Sequence, residues 1–141
     1  MIEFIKILLF SKIITLTPVP VDIDRQLILD LNIPIKAITS GAGIEIDLSK
    51  QVRSSIGNKD MFETFDFMEE KFPEGSIHVQ LKGKSQFILL DKISYGYSNG
   101  SSKVKVSSAS GVPEGIEFTS VIINTNVPLQ NAIISWKNYK H

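Results

Sequence analysis

Apolar and polar side chains alternate with a period of two along much of this 141-residue chain. Successive side chains of a β-strand point to opposite faces, so this period is typical of strands with one buried and one exposed face. The alternation predicts strands at residues 27–35, 44–48, 77–81, 104–106, 116–123 and 132–136. In the first stretch, the residues on the apolar face are Leu27, Leu29, Leu31, Ile33 and Ile35. In the last stretch Ala132, Ile134 and Trp136 share a face, and we therefore expect Trp136 in the core.

Turn residues separate these predicted strands. Asn99 and Gly100 both tolerate the positive φ of a type I′ turn, so strands near residues 93–97 and 103–108 are expected to form an antiparallel hairpin. Turns at this spacing, without alternating helices, favour a sandwich or barrel over a parallel sheet. We predict that residues 1–141 form a single, mainly all-β domain. Its expected fold is an antiparallel β-sandwich of about eight to ten strands, with one short helix inserted near residues 60–72.

The predicted helix rests on a change of period. The apolar stripe consists of Met61, Phe65, Met68 and Phe72, which are spaced to lie along one side of a helix. Asp60 is placed to cap the first turn, with Glu63 three residues further on. Residues 73–75, which include a proline and a glycine, end the helical pattern. A strand over residues 65–67 is the alternative.

Few residues offer catalytic chemistry. The chain has no cysteine, which excludes disulfides, thiolate nucleophiles, sulfur-ligated zinc and iron–sulfur sites. Of its two histidines, His78 lies in the polar register of a strand and His141 is the last residue, so neither is positioned as a general base. Residues 96–100 match the G-x-S-x-G pattern around Ser98, but that pattern requires a strand-to-helix turn, not a hairpin. We predict no catalytic residue, no cofactor and no metal site, and expect that the protein is not an enzyme.

The charge is unevenly distributed although the formal net charge is zero. Residues 45–75 carry eight acids and four bases, and residues 76–141 carry three acids and seven bases. The predicted acidic surface on and beside the helix consists of Asp60, Glu63, Asp66, Glu69, Glu70 and Glu74. Such a strip predicts a protein partner with a basic surface, since complementary charge sets association rate and specificity. An immunity protein that neutralises a bacterial toxin fits this description, and a merely solvated helix face is the alternative.

Two other groups of side chains have competing interpretations. Tyr95 and Tyr97 share a strand face and, with Tyr139, offer an aromatic platform for a carbohydrate or another small ligand. The basic residues near the C-terminus are Lys103, Lys105, Lys137 and Lys140. We interpret these lysines as protection of an edge strand against aggregation. Because the net charge is zero, we expect neither nucleic acid nor an anionic membrane as a partner.

Residues 1–16 are unusually apolar. Lys6 and Lys12 interrupt the run, so it is too short to span a membrane, and no small-residue cleavage site follows. We expect a strand of the core and a cytoplasmic protein, or an exported one if residues 1–16 act as a targeting segment. A third possibility is a structural subunit that adds this strand to a neighbouring sheet. The sequence does not indicate the oligomeric state.

Overall fold

The computed structural model describes residues 13–138. Predictions for residues 1–12 and for Tyr139, Lys140 and His141 lie outside that range. In chain order the strands and helices are β1 (Ile14–Thr15), β2 (Val21–Ile23), β3 (Gln26–Lys36), β4 (Gly43–Asp47), α1 (Ser49–Ile56), α2 (Met61–Lys71), β5 (Ile77–Lys82), β6 (Phe87–Leu90), β7 (Lys92–Ser98), β8 (Ser101–Ser107), β9 (Glu117–Thr125) and β10 (Leu129–Lys137).

These strands form two sheets. Sheet 1 has the order β1-β10-β4-β8-β7, with β2 also paired to β10, and sheet 2 has the order β3-β9-β5-β6. The strand pairs of both sheets are antiparallel. The predicted mainly antiparallel sandwich is therefore confirmed.

The core lies between the inner faces of the two sheets. Ile44, Ile46, Val104 and Val106 of sheet 1 are fully buried, as are many residues of sheet 2. From sheet 2 the core includes Ile77, Val79, Leu81, Leu90, Phe118, Val121 and Ile123. The predicted core face of β10 is confirmed, because Ala132, Ile134 and Trp136 have no exposed surface.

The expected continuous apolar face of residues 27–35 is interrupted. Leu27, Leu29 and Leu31 are half-buried and Ile35 is buried, but Ile33 is 73% exposed. The register between β3 and β9 shifts between Asp30 and Ile35. An irregularity of this kind moves side chains to the other face of the sheet, so the prediction for Ile33 is wrong.

The tip of the β7–β8 hairpin agrees with the expectation from its turn residues. Ser98 pairs with Ser101, and between them Asn99 and Gly100 have φ values of 51° and 80°. Both values lie in the left-handed region that a type I′ turn requires. Ser98 therefore lies in a hairpin, which lacks the strand-to-helix geometry of a nucleophile elbow.

Helix α2 matches the predicted helix near residues 60–72. The Asp60 side chain accepts a hydrogen bond of 2.8 Å from the Glu63 amide, which caps the first turn. Met68 and Phe72 are buried and Phe65 is half-buried, as the apolar stripe predicts. Met61, at the free end of the stripe, is 45% exposed.

Helix α1 has no counterpart in the sequence analysis, because its sequence is mostly polar. Gln51 holds it against β10: the side-chain amide donates to the Pro128 carbonyl at 3.0 Å and accepts from the Gln130 amide at 2.8 Å. Val52 is buried beside it, and Gly57 ends the helix with a φ of 71°. Tertiary contacts of one glutamine, which no periodicity reveals, stabilise this helix.

Candidate functional site

The acidic face of α2 comprises Asp60, Glu63, Asp66, Glu69, Glu70 and Glu74. All six residues are exposed. The side of the helix that packs on the sandwich carries Thr64, Met68 and Phe72, which are buried. At 3.6 residues per turn, Glu63, Asp66 and Glu70 lie on the opposite side. Of the predicted acidic residues, Glu63, Asp66 and Glu70 thus share one outward side of α2, and Asp60 and Glu74 flank the two ends of the helix.

An aromatic side chain lies within this surface. Phe62 is 74% exposed, the largest exposed fraction of any aromatic side chain among residues 13–138. Helical spacing places it on the same outward side as Asp66 and Glu69. Phe62 was not among the predicted site residues, although a helical projection places it outside the apolar stripe.

The acidic face is unfavourable for the helix that carries it. Asp66 is spaced three residues from Glu69 and four from Glu70 within the helix, so like charges are neighbours. The last turn is also where the helix dipole favours cations and not carboxylates. Within the part of the chain that the structure describes, none of the six carboxylates has a lysine or arginine nitrogen within 4.0 Å.

Tyr95 attaches the end of α2 to the sandwich. Its hydroxyl donates a short hydrogen bond to the Phe72 carbonyl. Burial, and then the nearby carboxylates of Glu74 and Glu69, raise the pKa of Tyr95 above its ordinary value. Tyr97 is half-buried on the same face of β7, and Tyr139 lies outside the described residues. Of the three tyrosines proposed as a ligand platform, Tyr95 is therefore occupied in holding α2.

The outer face of sheet 1 carries a lysine cluster formed by Lys103, Lys105 and Lys137. Lys103 Nζ lies 3.2 Å from Glu45 Oε1, and Lys137 Nζ lies 3.5 Å from Glu45 Oε2. Lys105 stands opposite Glu45 in the pairing of β4 with β8. The Glu45 side chain is only 9% exposed.

The interpretation of these lysines as edge protection is wrong. Strand β8 lies between β4 and β7, and β10 lies between β1 and β4, so neither is an edge of sheet 1. Alternating lysines look the same in sequence on an edge strand and on an interior strand. Strand order, which depends on contacts distant in sequence, distinguishes the two cases.

Two surface depressions contain few titratable side chains. One of about 650 Å³ is lined by Phe87, Leu89 and several serines, and Glu114 is its one titratable residue. Another of about 420 Å³ is lined by Lys84 and Glu117 beside Pro34. His78 is exposed on β5 and lines neither depression.

Neither the arrangement of possible metal ligands nor similarity to known proteins assigns a function to this chain. Among residues 13–138, no three histidine or carboxylate side chains are grouped so that they could hold a metal ion. No helix in that range has the length and apolar character needed to cross a membrane. No family model, curated protein or solved structure matches the chain.

Proposed function

We propose that this protein is a non-enzymatic protein-binding domain that captures a basic partner surface on the acidic face of α2. The observation that carries the proposal is Phe62, an aromatic side chain 74% exposed among carboxylates. Energetically dominant interface residues are often aromatic and central, and a polar rim surrounds them. Phe62 supplies such an anchor, and the surrounding acids supply electrostatic steering.

The cost of the acidic face to the helix supports this proposal over a merely solvated surface. Charged residues that serve only solubility can be arranged as pairs of opposite sign, each of which stabilises a helix by about 0.2–0.5 kcal/mol. Here Asp66, Glu69 and Glu70 repel one another in the half of the helix where the dipole also disfavours them. A cationic partner relieves both effects when it binds.

A narrower form of the proposal is an immunity protein that neutralises a bacterial toxin. A cleft that binds nucleic acid is lined with lysine and arginine, because it must neutralise phosphates. A rigid helix that presents several carboxylates around an apolar anchor is complementary to such a cleft. Blocking of this kind requires no proton-transfer group or metal in the inhibitor itself.

The test compares partner capture by three forms of the protein. The first is wild type, and the second carries Glu63→Lys, Asp66→Lys and Glu70→Lys on the acidic face. The third is a control with Asp24→Lys, Asp91→Lys and Glu117→Lys, which changes the net charge equally at exposed residues outside α2. Each is immobilised, incubated with lysate of the native cell, and analysed by quantitative mass spectrometry.

We expect the helix variant to lose specific partners by about tenfold or more while the control variant retains them. Phe62→Ala should lose the same partners, because truncation of a central aromatic anchor weakens an interface without changing its charge. Equal recovery by the helix variant and wild type contradicts the proposal, and so does equal loss by the helix and control variants. Circular dichroism establishes that each variant is folded.

A further inference from the structure

Strand β3 is a long edge strand of sheet 2. It has eleven residues, and among residues 13–138 the one strand that pairs with it is β9. The other edges are short or covered: β1, β2 and β6 have two, three and four residues, and α2 packs against β7. A long edge invites pairing with another chain unless lysine, proline or a bulge prevents it. Residues 26–33 of β3 contain neither lysine nor proline.

The pairing with β9 determines which backbone groups of β3 point outward. The Thr125 amide donates a hydrogen bond of 2.9 Å to the Arg25 carbonyl, at the start of the β3–β9 ladder. Hydrogen-bonded pairs alternate along an antiparallel ladder, so the backbone groups of Leu27 and Leu29 also point toward β9. The backbone N–H and C=O groups that point away from β9 therefore belong to Gln26, Ile28 and Asp30.

The apolar side chains of this edge are incompletely covered. Leu27, Leu29 and Leu31 pack against the core but remain half-buried, because the sheet ends at β3. Ile28 lies on the outer face opposite Ile122 of β9 and is 54% exposed. A strand added beside β3 would cover these side chains on both faces of the sheet while it satisfies the outward backbone groups.

We propose that two copies of this chain pair through β3 as antiparallel strands related by a two-fold axis. The edge is self-complementary in one register. With Ile28 opposite Ile28 of the second copy, Asp30 lies opposite Gln26, whose side-chain amide donates to the carboxylate. The same register places Leu27 opposite Leu29 on the inner face.

Neighbouring registers lack this complementarity. They place Asp30 of one copy opposite Asp24, Ile28 or Asp30 of the other, and like charges that face each other across a ladder are destabilising. The two-fold axis repeats each favourable contact, as in other interfaces formed by the same surface of two subunits. Pairing through β3 leaves the acidic face available to its own partner, because α2 packs against β7 of sheet 1.

Disulfide crosslinking of Ile28→Cys tests the geometry in the full chain, which has no cysteine of its own. In the proposed register the two Cα atoms of residue 28 are about 5.5 Å apart, a distance that a disulfide spans. Mild oxidation should therefore give a covalent dimer of twice 15.7 kDa on a non-reducing gel. Leu89→Cys is the control, since Leu89 is 44% exposed on β6, the other edge of the sheet. It should crosslink about tenfold more slowly or less. Equal crosslinking of the two variants overturns the proposal, and so does a dimer in which Ile28→Cys does not crosslink, because another segment then occupies the β3 edge.

Sedimentation equilibrium measures the association itself. The average mass of wild type should rise from 15.7 kDa toward twice that value as its concentration increases from about 1 µM to about 1 mM. Ile28→Lys places two ammonium groups opposite each other and should weaken the dimer by about tenfold or more, whereas Leu89→Lys should leave it within about twofold. A mass of 15.7 kDa at every concentration overturns the proposal, as does equal weakening by Leu89→Lys.

A variant that strengthens the dimer tests the register, because misfolding cannot produce a gain. Gln26→Lys places an ammonium opposite Asp30 of the second copy at two symmetric positions, so the dimer should become about twofold tighter or more. Addition of Asp30→Asn should abolish this gain. If Gln26→Lys does not strengthen the dimer, or if the gain persists with Asp30→Asn, the proposed pairing is wrong.

Discussion

Replacement of Glu70 by lysine separates the stability of α2 from its proposed function. Glu70 is exposed in the last half of the helix, four residues from Asp66. The change converts the repulsive pair with Asp66, worth about 0.2–0.5 kcal/mol, into an attractive pair of similar magnitude. It also places a cation near the C-terminal end of the helix, which contributes about 0.3–1 kcal/mol.

The expected result is a gain of about 1 kcal/mol in the free energy of unfolding, and a rise of about 2–4 °C in Tm. Urea denaturation followed by circular dichroism measures the free energy, and scanning calorimetry measures Tm. The gain should shrink in about 1 M salt, because both contributions are electrostatic between exposed groups.

Glu63→Lys is the matched control at the other end of the helix. Glu63 lies in the first turn, where the dipole favours a carboxylate, so the same charge change should destabilise by a few tenths of a kcal/mol or more. If Glu70→Lys destabilises the protein, or if both variants change stability equally, the argument that the acidic face is unfavourable for the helix is refuted. Partner capture should fall in Glu70→Lys even though its stability rises.

Three further predictions concern the scaffold around these surfaces. Tyr95→Phe should lower stability by about 1–2 kcal/mol, because it removes the hydrogen bond to the buried Phe72, whereas Tyr97→Phe should change it little. The pKa of Tyr95 in the folded protein is raised above 10.0, so the unfolded chain loses this proton first as pH rises. The stability advantage of wild type over Tyr95→Phe should therefore be present at neutral pH and decline above pH 10.0. Urea denaturation at several pH values measures this difference. Parallel pH profiles of the two proteins contradict this reasoning. Glu45→Gln should lower the free energy of unfolding by about 1–3 kcal/mol, a value between those of exposed and buried ion pairs. Addition of Lys105→Gln should recover part of this loss, because it removes one of the repelling lysines. No recovery in the double variant contradicts mutual repulsion in the lysine cluster. Gly43→Ala should destabilise the protein by about 1–3 kcal/mol, because the new Cβ would lie 2.6 Å from the Val106 carbonyl oxygen. Gly96→Ala is the control, since its Cβ would meet no atom within 4 Å. Equal Tm values for the two variants contradict the close packing at Gly43.

Local signals in the sequence predicted those features that depend on neighbouring residues. Asn99 and Gly100 determine the conformation of their own turn, and the spacing of Phe65, Met68 and Phe72 reflects a single helix face. Helix α1 was missed because the hydrogen-bond partners of Gln51, Pro128 just before β10 and Gln130 on it, are 77 and 79 residues away in sequence. A structural element leaves a recognisable sequence pattern only when residues close to it in sequence determine its conformation.

The same distinction between local and long-range causes applies to the acidic face of α2 and to the lysine cluster. The acidic face could be assembled from sequence because its residues share one helix and its ends. The lysine cluster could not, because Glu45, Lys103 and Lys137 come from three strands that are adjacent only in the folded sheet. The sequence pattern of Lys103 and Lys105 also led to the wrong strand type, since alternation does not reveal whether a strand is at the edge.

Carboxyl footprinting of the captured complex tests the central claim most directly. A carbodiimide couples a small amine to accessible carboxylates, and mass spectrometry measures the extent of labelling at each residue with and without the partner. Partner binding on the acidic face should strongly reduce labelling of Glu63, Asp66 and Glu70, while Asp24 and Asp91 remain unchanged. Unchanged labelling of the three helix residues in a complex that protects carboxylates elsewhere would contradict the assignment of α2 as the binding surface.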